Sequence, residues 1–345
     1  MDEQEKAEWS KLLFAAGKLR ELGPYKDVSE EDIFGVKCPD TGEIAYVSVM
    51  GSRGPDISVA AYLGTLGLQG FEELLHGRHS EEDGAKKLIE IPHLQMLFGS
   101  RNSVDEHERS VFKELNLHYR GSRAWPQFRS FRPGFFPWHL DSAERRMMRV
   151  ALEQLIEMLP RWAVVRAGAS AEDGTLLVRV PIRLVGAVQW EDRFMRPPEE
   201  KRVLFGEVPE EKIERVKALP SGPGPECVAE IDLLQTKFPV IERKGDRPYF
   251  GQILVLADPV SFYILGTEMF GPLPDYDAML CILPGHFLDV LLAANMRPAK
   301  LLLRKSAVGG ILDAVASRVG IKTEFRERLC AVTEIEGALD KMPPP

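Results

Sequence analysis

Between His118 and His139 stands the one run whose residue types suggest chemistry: His118-Tyr119-Arg120-Gly121-Ser122-Arg123-Ala124-Trp125-Pro126-Gln127-Phe128-Arg129-Ser130-Phe131-Arg132-Pro133-Gly134-Phe135-Phe136-Pro137-Trp138-His139. It holds four arginines, seven aromatics and no acid, in a chain whose formal charge is −8. Guanidinium groups grip phosphate or carboxylate with two parallel hydrogen bonds and also stack on aromatic faces. Aromatic rings can stack nucleobases, at about 1–3 kcal/mol per base. Arg120, Arg123, Arg129 and Arg132, with Trp125 and Phe128, are therefore a candidate site for an anion or a single strand, bracketed by His118 and His139. The competing use is structural. Buried rings anchor ordered loops, and Glu114, Asp141 and Glu144 lie close enough in sequence to pair with the arginines. Pro126, Pro133 and Pro137 forbid a long helix. The run is expected as an ordered, irregular loop pinned by its aromatics.

Other chemistry-bearing stretches are weaker. Gly51-Ser52-Arg53-Gly54-Pro55-Asp56 follows an apolar strand pattern and precedes an expected helix over 57–66. Strand, glycine turn and helix together present bare N–H groups to an anion, so Gly51, Ser52 and Gly54 form a second candidate. The stretch lacks the P-loop and dinucleotide fingerprints, and Asp56 as a helix cap explains it equally well. Glu72, His76 and His79 recur at helical spacing, but Gly77 interrupts them. No serine lies in a nucleophile-elbow motif. Cys38, Cys227, Cys281 and Cys330 are too dispersed for a zinc ribbon or a redox pair and read as free thiols. No cofactor and no metal site is expected from these patterns.

The elements that must carry these residues are legible from periodicity. A helix is expected over 3–22, stopped by Gly23-Pro24, then a β-hairpin from strands near 33–36 and 44–50. A strand over 93–98 and a helix over 104–115 lead into the arginine–aromatic run. Asp141 with Glu144 three residues later marks the start of a helix ending at Leu159-Pro160. Strands near 176–180 and 184–190 close an α+β domain with a mixed sheet, spanning 1–192. The stretch 193–225 is rich in Pro, Glu and Lys and reads as a linker. Beyond it, 226–342 reads ββαβαβα: strands at 253–257 and 262–269, a helix over 287–294, a strand at 300–304, a helix over 308–319, a strand at 321–325 and a last helix over 332–342. That order implies a mixed, mostly parallel sheet with flanking helices, and an α/β class for the whole chain.

The length of 345 residues suits two domains, and 44% apolar residues suffice for cores without staples. The acidic balance argues against coating of duplex DNA, which relies on Lys and Arg. An acidic start without an apolar segment, and no apolar run of membrane-spanning length, lead to the expectation of a cytoplasmic protein that does not enter a membrane.

Several phrases carry a resemblance. They are the tryptophan-bearing first helix, Phe34-Gly35-Val36 with Thr41-Gly42-Glu43, Met50-Gly51, Ala61-Tyr62-Leu63-Gly64, and the motif from Arg120-Gly121 through Ala124-Trp125-Pro126, Phe128-Arg129-Ser130 and Pro133-Gly134 to Pro137-Trp138. Nearly the whole chain resembles an uncharacterised bacterial family of paired domains of unknown function. That resemblance implies no activity. The C-terminal half separately resembles a trimmed ribonuclease H-type domain, in which an acid ends the first strand and carboxylates hold two metal ions. The resemblance puts Asp258 in that place, but Arg304-Lys305 stand where a later acid is wanted.

The leading expectation is a non-enzymatic binding protein whose 118–139 site takes an anionic group of a nucleic acid, nucleotide or protein partner. The alternative is a metal-dependent phosphodiesterase using Asp258. A scaffold without a small ligand is the third.

Overall fold

The computed structural model describes the chain except residues 24–27, 51–57, 78–79, 169–173, 185–186, 200–205, 222–226, 340 and 342–345. It divides into two units, one of residues 1–133 and 137–200, the other of 134–136 and 201–345. Both contain mixed sheets with helices, so the chain is α/β.

The first unit runs α1 (Glu3–Leu22), β1 (Ile33–Lys37), β2 (Ile44–Met50), β3 (Ser58–Leu63), α2 (Gly64–His76), α3 (Glu81–Glu90), β4 (His93–Gly99), α4 (Glu106–Glu114), β5 (Trp125–Phe131), α5 (Ser142–Met158), α6 (Trp162–Gly168), β6 (Leu176–Leu184) and β7 (Ala187–Met195). Its seven strands lie in the order β5-β4-β3-β2-β1-β6-β7. Only β1 and β6 pair in parallel; the other neighbours are antiparallel. Side chains alternate between faces along a strand. Accordingly Ala45, Val47 and Val49 of β2 join one core with Trp9, Leu12, Leu19, Met148, Leu152 and Leu155 of α1 and α5. Ile44 and Tyr46 join the opposite core with Leu68 and Phe71 of α2. Burial on both faces stabilises by roughly 1.5–3 kcal/mol for each enclosed Leu, Val or Phe side chain. Helices α1 and α5 are tied by charge as well. Glu8 accepts from Arg145 Nη2 at 3.1 Å and Arg146 Nη1 at 2.8 Å.

Two expectations fail here. Of the helix foreseen over 57–66, only 64–66 are helical, as the start of α2, while Ser58–Leu63 form strand β3, hydrogen-bonded between β2 and β4. Its alanines suit a helix by propensity, but β3 is an inner strand buried on both faces, so no alternation marks it. The run 118–139 is not all loop, for β5 occupies its centre as an edge strand. Pro126 is tolerated there because an edge strand has one side without ladder partners.

The second unit runs α7 (Glu210–Lys217), β8 (Val228–Val240), β9 (Tyr249–Ala257), β10 (Ile264–Phe270), α8 (Tyr276–Ala294), β11 (Lys300–Arg304), α9 (Ala307–Arg318), β12 (Lys322–Arg326) and α10 (Cys330–Leu339). The sheet order is β10-β9-β8-β11-β12. Strands β8, β9 and β10 form an antiparallel meander, and β11 and β12 continue in parallel with β8. Helices α7, α8 and α9 fill one core with Ile213, Leu283, Phe287 and Leu312; α10 fills a second with Leu234 and Val255. The expected strand pattern lacked β8, whose inward Glu230 and Asp232 disguise it. Helix α7, read from composition as part of a linker, contributes buried Ile213 and Val216 to this core. Residues 134–136, from the middle of the arginine–aromatic run, pair with the start of β9. Phe136 N donates to Pro248 O at 3.0 Å, and Phe136 stacks on Phe250 at 3.8 Å.

Helix α8 corrects a further expectation. It continues through Pro284 and is long and apolar enough to cross a membrane. Eight of its residues are buried, among them Met279, Leu283, Phe287 and Leu291 in the core of this unit.

Candidate functional site

Strand β4 delivers the chain into a short 3₁₀ turn, Arg101–Ser103. Strand β5 begins at Trp125, directly opposite Gly99 of β4. That pairing sets residues 100–102 beside residues 119–125. Between them lies an open hollow of about 440 Å³ lined by Ser100, Arg101, Asn102, Tyr119, Arg120, Gly121, Ser122 and Trp125. A Cβ at Gly99 would stand 2.1 Å from Gln127 Nε2, so a larger residue there would displace that side chain. Gln127 Nε2 instead donates to Ser103 Oγ at 2.8 Å and holds the turn. Gly121 takes φ +98°, a left-handed backbone that favours glycine, and bends the rim.

The hollow has an aromatic wall. Tyr119 and Trp125 pack at 5.6 Å, and Phe112 supports both from the core, at 5.1 Å and 6.0 Å. Burial pushes the Tyr119 phenol up to about 12, so it stays neutral and can donate a hydrogen bond. Arg101 and Arg120 are exposed, and among the described residues neither has an acidic partner.

The other candidates are divided by the structure. Arg129 is spent internally: Nη1 donates to Glu108 Oε1 at 2.6 Å and to Phe128 O at 2.7 Å, and Nη2 stands 3.0 Å from Asp105 Oδ2. Arg132 is spent on Asp141 at 2.6 Å and Glu144 at 2.7 Å. Burial alone would lower the Arg132 pKa, but the Glu144 and Asp141 carboxylates outweigh it and raise it. Phe128 belongs to the core, edge-on to Trp9 at 5.8 Å. The two arginines are structural because acids of α4, its cap and the start of α5 face β5. Arg123 and His118 are exposed but do not line the hollow. His139 lies half-buried, stacked on His107 at 4.1 Å. Burial, then His107 and Arg129, hold its pKa down at about 4, against the pull of Asp105. The run thus keeps Arg120 and Trp125 for the hollow, and sequence reasoning missed Arg101 and Asn102. The pairing of strand 93–98 with the run would have found them. Gly51, Ser52 and Gly54 lie outside the described residues, and β3 behind them removes the helix on which that anion turn rested.

Asp258 follows β9, the second strand of its unit and not the first. Its Oδ1 accepts from Val260 N at 2.8 Å and Ser261 N at 2.7 Å, and these bonds lower its pKa. That is the work of a turn residue. Among the described residues the one cluster with metal-holding geometry is Glu268, His286 and Asp289, without Asp258. Arg304 is occupied by Asp232 at 3.0 Å and Glu336 at 3.2 Å. Buried Glu230 caps α10, accepting from Cys330 N at 2.9 Å and Val332 N at 3.0 Å.

Residues 9–179 match the family model of a domain of unknown function (DUF7309). Residues 212–340 match that of a second domain of unknown function (DUF6930). The chain is a pairing of these two domains. The hollow lies wholly within the DUF7309 match, and Asp258 within the DUF6930 match. Neither match is to a ribonuclease H domain. No curated protein matches the chain.

Proposed function

We propose that this is a non-enzymatic, cytoplasmic bacterial binding protein. Its DUF7309 domain takes an anionic ligand bearing a flat ring, a nucleotide or a single-stranded nucleic acid. One observation carries the reading: two exposed arginines, Arg101 and Arg120, flank the Tyr119–Trp125 wall with no carboxylate partner among the described residues. Guanidinium for phosphate and ring for base is the usual division of labour in such sites. The hollow falls within the roughly 300–1,000 Å³ of small-ligand sites. Four free cysteines suit a reducing compartment.

The test is binding of labelled single-stranded RNA, single-stranded DNA and ATP to the full chain at low and moderate salt. Saturable binding that weakens with salt is expected for at least one. Absence of binding to all three removes the reading. Capture of a protein partner alone, insensitive to changes at Arg101 and Arg120, replaces it with the scaffold.

A further inference from the structure

A second group of ligand-bearing side chains lies in the DUF6930 domain and plays no part in the hollow. Glu268 of β10 meets His286 and Asp289 of α8, and one ligand atom from each lies within 4.8 Å of the others. His286 and Asp289 are three residues apart, which puts them on one helix face. Strand β10 packs against α8 and supplies the third side chain. All three are half-buried. His286 Nδ1 stands 2.6 Å from Glu268 Oε1, and the imidazole is stacked on Phe270 at 4.3 Å and 7°, which fixes its plane. Lys212 Nζ lies 2.8 Å from both carboxylate oxygens of Asp289.

The geometry points to a site for a borderline divalent cation, Zn²⁺, held by Glu268, His286 and Asp289. An imidazole nitrogen with two carboxylate oxygens suits zinc, whereas calcium and magnesium take all-oxygen shells of six or more. Three protein ligands leave the fourth tetrahedral position to water, which half-exposed side chains admit. Binding replaces the hydrogen bond between His286 and Glu268. Ligand atoms at ~2.0–2.1 Å from zinc stand roughly 3.3 Å apart, so the pair opens by a fraction of an ångström. A carboxylate has two oxygens. Lys212 now straddles both those of Asp289; on binding it gives up one to the metal and keeps the other, the kind of outer contact that orients metal ligands. Without metal, the same residues would be two ordinary ion pairs, Glu268–His286 and Asp289–Lys212.

The experiment uses the full chain stripped with a chelator, titrated with Zn²⁺ by calorimetry and with Co²⁺ by visible absorption. One equivalent is expected, with a Co²⁺ spectrum free of thiolate charge transfer. His286→Ala and Asp289→Asn should each weaken binding by at least about tenfold, while His76→Ala, on an exposed histidine, leaves it unchanged. If circular dichroism finds His286→Ala unfolded, Glu268→Gln gives the same reading. No binding by the parent chain, a thiolate band, or equal affinity in these variants overturns the site.

Discussion

Arg129 Nη1 lies 2.6 Å from Glu108 Oε1, and that carboxylate also accepts from Phe128 N at 2.9 Å. Helix α4 and edge strand β5 are joined through one buried acid. Burial dominates its ionisation and raises the Glu108 pKa, with Arg129 pulling the other way. Removing the guanidinium would leave that charge uncompensated. Arg129→Ala should therefore cost about 3–5 kcal/mol, the usual price of breaking a buried pair from one side. Urea unfolding followed by tryptophan fluorescence checks it, since Trp9, Trp125, Trp138, Trp162 and Trp190, all five in the chain, lie in the first unit.

Asp141 begins α5 with a full capping box. Its side chain accepts from Glu144 N at 2.9 Å, and Glu144 Oε2 accepts from Asp141 N at 2.9 Å. Asp141→Ala should lose about 1–2 kcal/mol, and Asp141→Asn, which keeps the cap, distinctly less. The same fluorescence transition reads both.

His93 makes the first unit sensitive to acid. It is fully enclosed, stacked on Phe131 at 4.1 Å, and burial lowers its pKa from 6.5 to about 4, more than its bond to Ile91 O raises it. Between those values the unfolded chain takes up a proton that the folded chain refuses. The contribution of His93 to stability is therefore fully present above pH 6.5 and is lost as pH falls toward 4, by about 1.4 kcal/mol per pH unit. Urea midpoints across that range should fall, and fall less steeply in His93→Asn.

Gly309 lies in the first turn of α9, where a Cβ would stand 2.0 Å from Arg304 O. Gly309→Ala must push helix from strand and should cost about 1–3 kcal/mol, read by thermal melting in far-ultraviolet circular dichroism.

Much of the fold was legible because local rules agreed with tertiary ones. Helices α1 and α5 announced themselves by period and by cap, and β11 by its apolar run. Strands β3 and β8 did not. Both are inner strands, and β8 carries Glu230 and Asp232 inward, where they serve a helix cap and an arginine. The candidate site was half legible. Four arginines of one run look alike in sequence, yet Arg129 and Arg132 face acids of α4 and α5 while Arg120 does not. Arg101 comes from outside the run, and only the β4–β5 register brings it near.

The central claim is that Arg101 and Arg120 serve a ligand across the Tyr119–Trp125 wall. Fluorescence anisotropy of a labelled single-stranded RNA decides it most directly. The intact chain should bind saturably, the Arg101→Ala/Arg120→Ala pair should bind at least about tenfold more weakly, and Arg193→Ala, at an exposed arginine on β7, should match the parent. Equal affinity in the double variant, or no binding by the parent chain, would contradict it.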